Sequence, residues 1–268
     1  MTPLELGIVS DEISPDFPVA TRHALGWGIR KFELRVLKTG RVPNVDPAEI
    51  EMICTAVEQH KLQITALSPG MFKHSLSRTA DLEREASEML PATILLAKRL
   101  NSPMIIIFGF QREMGEGASR YENAVSWMKR AASVAEREGV TLAIENEPGF
   151  WADTGVNTRR LITDVSSPAL GANWDPCNAY GTTERPFPEG YEAIKDVIVN
   201  VHVKDTLKGA LIQCVPVGEG VIDWTGQMRA LMRDRLVPHV TIETHCLPLV
   251  EKSRQNVETL RRLMQENC

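Results

Sequence analysis

The feature that most constrains the fold is a regular alternation of short apolar runs with longer helical patterns along the 268 residues. The apolar runs are rich in β-branched residues, as in strands buried on both faces of a parallel sheet. The predicted strands are residues 4–10, 31–35, 62–67, 103–108, 141–145, 170–175, 197–205 and 239–245. The predicted helices are residues 15–27, 47–60, 80–100, 119–139, 157–165, 188–196, 224–235 and 249–265. Eight strand–helix units predict a (β/α)8 TIM barrel of the α/β class, with residues 1–268 as a single domain.

Local signals support this division. Asp46 followed by Pro47 is a favoured start for a helix, Asp223 is placed to cap the next-to-last helix, and Gly139 suits a helix end. A doubly wound open sheet is the rival architecture. It usually shows a glycine fingerprint after the first strand, and none is present there.

Composition excludes some classes of partner and directs attention to small molecules. The net charge is −5 and the pI is about 5.8, so no electrostatic signature for nucleic acid or anionic lipid exists. No apolar run approaches the roughly 20 residues that span a bilayer, and the first residues do not resemble a signal peptide. The five cysteines form an odd set without a CxxC motif, which favours reduced thiols in a cytoplasmic protein.

Polar residues in the seventh predicted strand mark a site. Alternation places Asn200, His202 and Lys204 on one face, and Val199, Val201 and Val203 on the other. Buried strands normally avoid side chains such as His202 and Lys204. Their position toward the carboxyl end of the strand predicts that they face the interior at the catalytic end of the barrel.

The same alternation turns three carboxylates toward that point. Glu145 ends the fifth strand, Asp175 the sixth, and Glu243 lies near the end of the eighth, each on the predicted inward face. Together with His202 they predict a cluster of four potential metal ligands on adjacent strands.

A divalent cation would explain this cluster, because unpaired buried carboxylates repel one another and are costly. Oxygen-rich ligation with one imidazole nitrogen favours Mn²⁺ or Mg²⁺, with Mn²⁺ first, and allows Co²⁺ or Zn²⁺. The alternative is that each residue is a separate structural group, such as a glutamate paired with a lysine or an aspartate that caps a helix.

With these residues in place, the chain resembles the xylose isomerase-like TIM-barrel superfamily of sugar isomerases, epimerases and related dehydratases. The resemblance extends over the whole chain and depends on an ordered set of short motifs. These are Asp11-Glu-Ile-Ser, Phe-Glu33-Leu-Arg, Leu-Ala-Ile-Glu145-Asn-Glu-Pro-Gly, Asn173-Trp-Asp175-Pro-Cys-Asn178, His202-Val-Lys-Asp205, Gly218-Glu-Gly-Val-Ile-Asp-Trp224 and Ile-Glu243-Thr-His.

The resemblance implies that Glu145, Asp175, His202 and Glu243 bind the metal. In the family's ketose 3-epimerases the two glutamates also transfer protons on opposite faces of the substrate. The chemistry agrees with this role, because a cation on the carbonyl and adjacent hydroxyl stabilises the enediolate formed when a glutamate removes the neighbouring proton. The expected substrate is a small sugar or polyol ketone or aldehyde. Homo-oligomers are common in the family, but nothing in the sequence fixes an assembly.

Lys204 and Asn178 are further candidates. Lys204 is expected either to act on a substrate oxygen or leaving hydroxide, or to be a buried counter-ion for the carboxylates. Asn178 lies where several epimerases of the family carry a substrate-binding histidine, which weakens a free ketohexose as substrate. Glu33 and Arg35 share the inward face of the second strand and are expected to pair with each other. Other candidates for substrate binding lie on or near the catalytic-face loops: Glu12, His74, Trp151 and His245.

The first functional interpretation is thus a metal-dependent sugar isomerase or epimerase. The second is a dehydratase of an inosose or 3-oxo-sugar type, which begins with the same proton abstraction. An apurinic-site endonuclease shares the barrel, but it needs several more histidines than the six present. A non-catalytic sugar-binding protein is the remaining class, and it would be favoured by the loss of a ligand, which is not observed.

Overall fold

Eight parallel strands close into a barrel in the computed structural model, which describes residues 4–209 and 212–266. The barrel strands in chain order are β1 (Glu5–Val9), β2 (Lys31–Leu34), β3 (Gln63–Leu67), β4 (Met104–Phe108), β5 (Thr141–Glu145), β6 (Leu170–Trp174), β7 (Ile198–Val203) and β8 (His239–Ile242). Each strand pairs with its neighbours in sequence, and β1 pairs with both β2 and β8. The predicted (β/α)8 barrel is confirmed. The prediction that all of residues 1–268 form one domain extends beyond the described residues and stays a prediction.

Helices surround the barrel on the outside. They are α1 (Phe17–Gly26), α2 (Pro47–His60), α3 (Thr79–Arg84), α4 (Leu90–Arg99), α5 (Ala118–Glu138), α6 (Gly155–Val165), α7 (Pro176–Tyr180), α8 (Tyr191–Ile194), α9 (Trp224–Asp234) and α10 (Leu249–Glu266). The predicted caps are present: the Asp46 carboxylate accepts from Ala48 N at 2.8 Å, and that of Asp223 from Gly226 N at 2.8 Å. Among the described helices, none is long and apolar enough to cross a membrane.

Two predicted helices are less regular than expected. The one over 80–100 widens at Glu85–Met89 into a π-type turn between α3 and α4, because Pro91 has no N–H to continue the regular bonding pattern. The predicted helix over 188–196 is replaced by three short helical segments: Pro186–Gly190, α8 and Lys195–Val197. The first segment is irregular because Phe187 has extended dihedral angles. The short helix α7 was not predicted.

Two short hairpins follow barrel strands at the carboxyl end. Val36–Leu37 pairs with Gly40–Arg41 after β2, and Asp205–Thr206 pairs with Cys214–Val215 after β7. The predicted seventh strand therefore breaks at Lys204. The predicted eighth strand also stops early, at Ile242.

One residue of β7 faces opposite to the prediction. Ala172 pairs with Ile198, but the next residue, Asn173, pairs with Asn200, so that Val199 is an extra residue in a β-bulge. Val199 therefore packs in the barrel interior, where it lies so close to Gly171 that an added Cβ would be 2.5 Å from its side chain. The expectation that Val199 faces outward is wrong. Val201 and Val203 do join the outer core beneath the helices.

Candidate metal centre

The four predicted ligands meet at the carboxyl end of the barrel. One ligand atom from each of Glu145, Asp175, His202 and Glu243 lies within 4.8 Å of the other three. All four side chains are buried. Alternation turns each residue inward, and the parallel strands deliver them to the same end of the barrel.

Local structure fixes the carboxylate of Asp175. Its backbone is held on both sides by Asn146, whose side chain donates to Asp175 O and accepts from Asp175 N, both at 2.8 Å. Oδ1 of Asp175 accepts from the N–H groups of Cys177 and Asn178 and so caps α7. Oδ2 remains directed into the cluster. Asp175 therefore caps α7 with Oδ1 and contributes Oδ2 to the cluster.

The imidazole of His202 is oriented as a metal ligand would be. Its Nε2 lies 2.9 Å from Glu33 Oε2, and its buried Nδ1 has no hydrogen-bond partner among the described residues. Nδ1 faces Glu145 Oε2 at 3.6 Å and Glu243 Oε2 at 3.5 Å. A carboxylate that receives the proton of one ring nitrogen leaves the lone pair of the other free for a cation. The residues present therefore fit a divalent cation.

Electrostatics at the centre point the same way. Burial opposes protonation of His202, yet the surrounding carboxylates, Glu33 above all, raise its pKa well above the usual value. Burial favours the neutral acid of Glu243, yet Lys204 and His202 hold its pKa well below the usual range. The carboxylates thus favour a positive charge at this point, which either a proton on His202 or, in its place, a divalent cation can supply.

Two permanent cations contact the cluster from the side. Nζ of Lys204 lies 2.8 Å from both Asp175 Oδ2 and Glu243 Oε2. Arg35 donates from Nη1 to Glu243 Oε1 at 2.7 Å and also pairs with Asp11 and Glu12. The expected Glu33–Arg35 pair is therefore wrong, because Glu33 pairs with His202 and Arg35 pairs with three other carboxylates. Lys204 is the counter-ion that the sequence allowed, and its ammonium also reaches the cavity described next.

An open cavity of about 540 Å³ lies above the cluster. Its volume suits a small-molecule ligand. Predicted residues in its wall are Glu145, Asn178, Lys204, Glu243 and His245. A larger cavity of about 690 Å³ lies between α1 and α2 on the outside of the barrel, and it contains none of the predicted site residues.

Three of the predicted substrate-binding residues, Asn178, His245 and Glu12, are hydrogen-bonded to other side chains of the site. Asn178 donates to Glu145 Oε1 at 3.1 Å, and His245 Nδ1 lies 2.5 Å from Glu12 Oε1. Glu12 itself is buried behind the wall of the cavity, where it holds His245 and Arg35. It is thus placed as a support for the wall.

His74 and Trp151 lie outside the wall of this cavity. His74 Nε2 is 3.6 Å from Glu85 Oε1. The ring of Trp151 packs 5.8 Å from that of Tyr121, and Arg112 lies over its face. The structure therefore gives neither residue a position at the cavity, although both were predicted to bind substrate.

The sequence did not identify several residues of the cavity wall. These are Asp11, Arg35, Val36, Arg41, Ser68, Lys73, Phe108, Glu147, Ile212 and Cys214. Phe108 ends β4 and was identifiable by its position at a carboxyl strand end. Arg41 and Lys73 lie in connecting segments with no motif that marks them.

Comparison with known proteins shows the same architecture. The structure is similar to the probable 3-DHS dehydratase AsbF of Bacillus anthracis, with a TM-score of 0.81, 16% identity, and 96% of this chain and 99% of that chain covered. It is similar to D-allulose 3-epimerase of a Methylomonas species in complex with D-allulose, with a TM-score of 0.78, 15% identity and 98% of each chain covered. A third similar structure is the IOLI protein with a bound zinc atom, with a TM-score of 0.79, 15% identity and 99% of each chain covered.

These low identities establish the fold alone, and the family follows from the sequence. The family described as "Xylose isomerase-like TIM barrel" matches residues 22–263, which is most of the chain and includes all four residues of the cluster. The protein therefore belongs to the xylose isomerase-like TIM barrel family.

Proposed function

We propose that this protein is a divalent-metal-dependent sugar isomerase or epimerase. The observation that carries the proposal is the buried Nδ1 of His202, which has no hydrogen-bond partner in the described part of the chain. It faces the carboxylates of Glu145 and Glu243 beneath an open cavity. Three carboxylates and one imidazole suit Mn²⁺ first, with Mg²⁺, Co²⁺ or Zn²⁺ as alternatives. When bound, such a cation stabilises the negative charge that develops on substrate oxygens as a neighbouring C–H bond breaks.

Glu145 and Glu243 are the proposed proton-transfer pair. They lie at the ends of β5 and β8, with β6 and β7 between them, and both contribute to the cavity wall. A substrate between them would present opposite faces of one carbon to the two carboxylates. One glutamate removes the proton next to the carbonyl, and the other returns a proton to that carbon or its neighbour.

Neighbouring side chains hold both glutamates in position. Asn178 donates to Oε1 of Glu145, so that the carboxylate cannot rotate freely. Arg35 contacts Oε1 of Glu243 and Lys204 contacts Oε2. Because proton transfer needs hydrogen-bond distances, this fixation supports the proposed roles.

A dehydratase is the second candidate, and the position of Lys204 favours it. Its ammonium belongs to the cavity wall and lies 2.8 Å from Glu243 Oε2. In this reaction a glutamate takes the proton next to the carbonyl, and the electron pair forms a C=C bond as the β-hydroxyl leaves. Lys204 would donate a proton to the leaving hydroxide to give water.

The proposal is tested by a screen of ketoses, inososes and 3-oxo-glycosides in D₂O with Mn²⁺. An isomerase or epimerase incorporates deuterium at one carbon without a change in formula, and a dehydratase loses one water, so mass spectrometry and proton NMR separate the two. Glu145→Gln and Glu243→Gln should each lower the rate of deuterium exchange at least about 100-fold. Glu88→Gln is the matched control, because Glu88 is exposed in the π-type turn between α3 and α4. Exchange that persists in both active-site variants would contradict the roles, and saturable binding without exchange would indicate a sugar-binding protein.

A cytoplasmic location is also proposed. The four cysteines in the described part of the chain, Cys54, Cys177, Cys214 and Cys246, are free. Free thiols agree with a reducing compartment. Cys268 lies outside the described residues.

A further inference from the structure

The cavity wall contains cations of two kinds. Arg35 and Lys204, deep in the cavity, each contact carboxylates at 2.9 Å or less. Arg41 and Lys73 do not. Within 4.0 Å, Arg41 has no carboxylate partner among the described residues, and Lys73 reaches only Glu147, at 3.9 Å. A charged group without a counter-ion at a ligand cavity is available for a ligand of opposite charge.

Arg41 is held in place even though it is not paired. It lies in the hairpin after β2, and its Nη1 donates to Ser68 O at 3.1 Å. The guanidinium lies over Gly70, where an added Cβ would be only 3.2 Å from Nη1. A guanidinium has five N–H donors, and this contact uses one of them. The others remain for a planar, two-oxygen acceptor.

Lys73 follows Gly70 in the same loop. Its ammonium lies 3.8 Å from the centre of the Phe108 ring, and Phe108 is part of the cavity wall. Among the described residues its only carboxylate neighbour within 4.0 Å is Glu147, whose Oε2 lies 3.9 Å from Nζ, beyond hydrogen-bond distance. Lys73 is therefore only weakly neutralised. Arg41 and Lys73 both belong to the cavity wall, and each adds a positive charge to it.

We propose that Arg41 and Lys73 form an oxyanion subsite, so that the substrate carries a carboxylate or phosphate group in addition to the carbonyl that reacts at the four-residue cluster. The inference rests on the proposed function, because it assigns the substrate class of the same site. The four-residue cluster would bind the carbonyl and hydroxyl oxygens of the substrate, and Arg41 and Lys73 would bind its carboxylate or phosphate group. A neutral sugar would leave Arg41 without a carboxylate partner among the described residues, and Lys73 with only Glu147 at 3.9 Å.

Binding to the Mn²⁺-loaded protein tests this inference without turnover. Two matched pairs of probes are titrated by calorimetry: 4-oxocyclohexanecarboxylate against its carboxamide, and D-fructose 6-phosphate against D-fructose. The first pair tests a carboxylate and the second a phosphate. The wild-type protein should bind the anionic member of at least one pair about 10-fold or more tightly.

Arg41→Gln should abolish that preference. Lys38→Gln is the matched control, because it removes one positive charge from the same hairpin at a side chain that is 70% exposed and paired with Asp16. The Lys38→Gln variant should prefer the anionic member of each pair as strongly as the wild-type protein does. Equal affinity for both members of each pair, or a preference that Arg41→Gln leaves intact, would overturn the inference. An Arg41-dependent preference without deuterium exchange would support the subsite and contradict only the proton-transfer proposal.

Discussion

His239 should make the stability of the barrel depend on pH. Its side chain is only 7% exposed, and its Nε2 has no hydrogen-bond partner among the described residues. Burial, followed by the charges of Lys31 and His202, lowers its pKa to about 4, against 6.5 for an ordinary histidine. Between these values the unfolded chain binds a proton that the folded protein does not. The stability contributed by neutral His239 is therefore complete above about pH 6.5 and is lost as the pH falls toward 4.

The two pKa values set the size of the effect. From about pH 7.5 to about pH 5, the difference in proton binding lowers the free energy of unfolding by about 2 kcal/mol. Other groups also titrate in this range, so the useful quantity is the difference between the wild type and His239→Gln. That difference isolates the contribution of His239, because the other groups are present in both proteins.

Urea denaturation followed by circular dichroism at about pH 7.5, 6 and 5 measures this difference. His239→Gln should lose less stability on acidification than the wild type, by about 2 kcal/mol at about pH 5. His60→Gln is the control, since His60 ends α2 and is exposed, and it should behave as the wild type does. Parallel pH profiles for wild type and His239→Gln would refute the reasoning.

Three further predictions concern single hydrogen-bonding groups. Glu33→Gln should weaken Mn²⁺ binding by about 10- to 100-fold, because the imidazole of His202 loses the carboxylate that orients it. Calorimetry measures the Mn²⁺ affinity, with Glu88→Gln as the control, and an unchanged affinity would contradict the metal site. Asp205→Asn should lower the free energy of unfolding by about 2–4 kcal/mol, because its buried carboxylate accepts from four backbone N–H groups; a loss below about 0.5 kcal/mol in urea denaturation would argue against it. Gln227→Leu should cost about 1–3 kcal/mol, because it leaves the buried Nε1–H of Trp174 without its acceptor at 2.8 Å; an unchanged melting temperature would be the contrary result.

Some features were predictable because their causes are local. Strand alternation alone placed Glu145, Asp175, His202 and Glu243 on the inward face, and the structure brings them within 4.8 Å of one another. The caps at Asp46 and Asp223 were also predictable, since each depends on a side chain and a backbone N–H only two or three residues away.

Other features depend on contacts between distant segments. Glu33 and Arg35 are neighbours on one strand face, but Glu33 pairs with His202, 169 residues away, and Arg35 reaches Glu243, 208 residues away. The bulge at Val199 depends on how β7 aligns with β6, and nothing in the composition of β7 marks it. Trp151 was predicted from its loop position to bind substrate, whereas its ring packs against that of Tyr121 of α5.

By itself the sequence determined the number and type of the strand–helix units and the inward face of most strands, because helical and strand periodicity are properties of the local chain. It also determined which residue types could bind a cation. Only the tertiary structure decided which charges have partners, since closing the barrel pairs Arg35 and Lys204 with carboxylates and leaves Arg41 with none within 4.0 Å among the described residues. Pairing depends on distances between residues far apart in sequence, and those distances exist only once the barrel has closed.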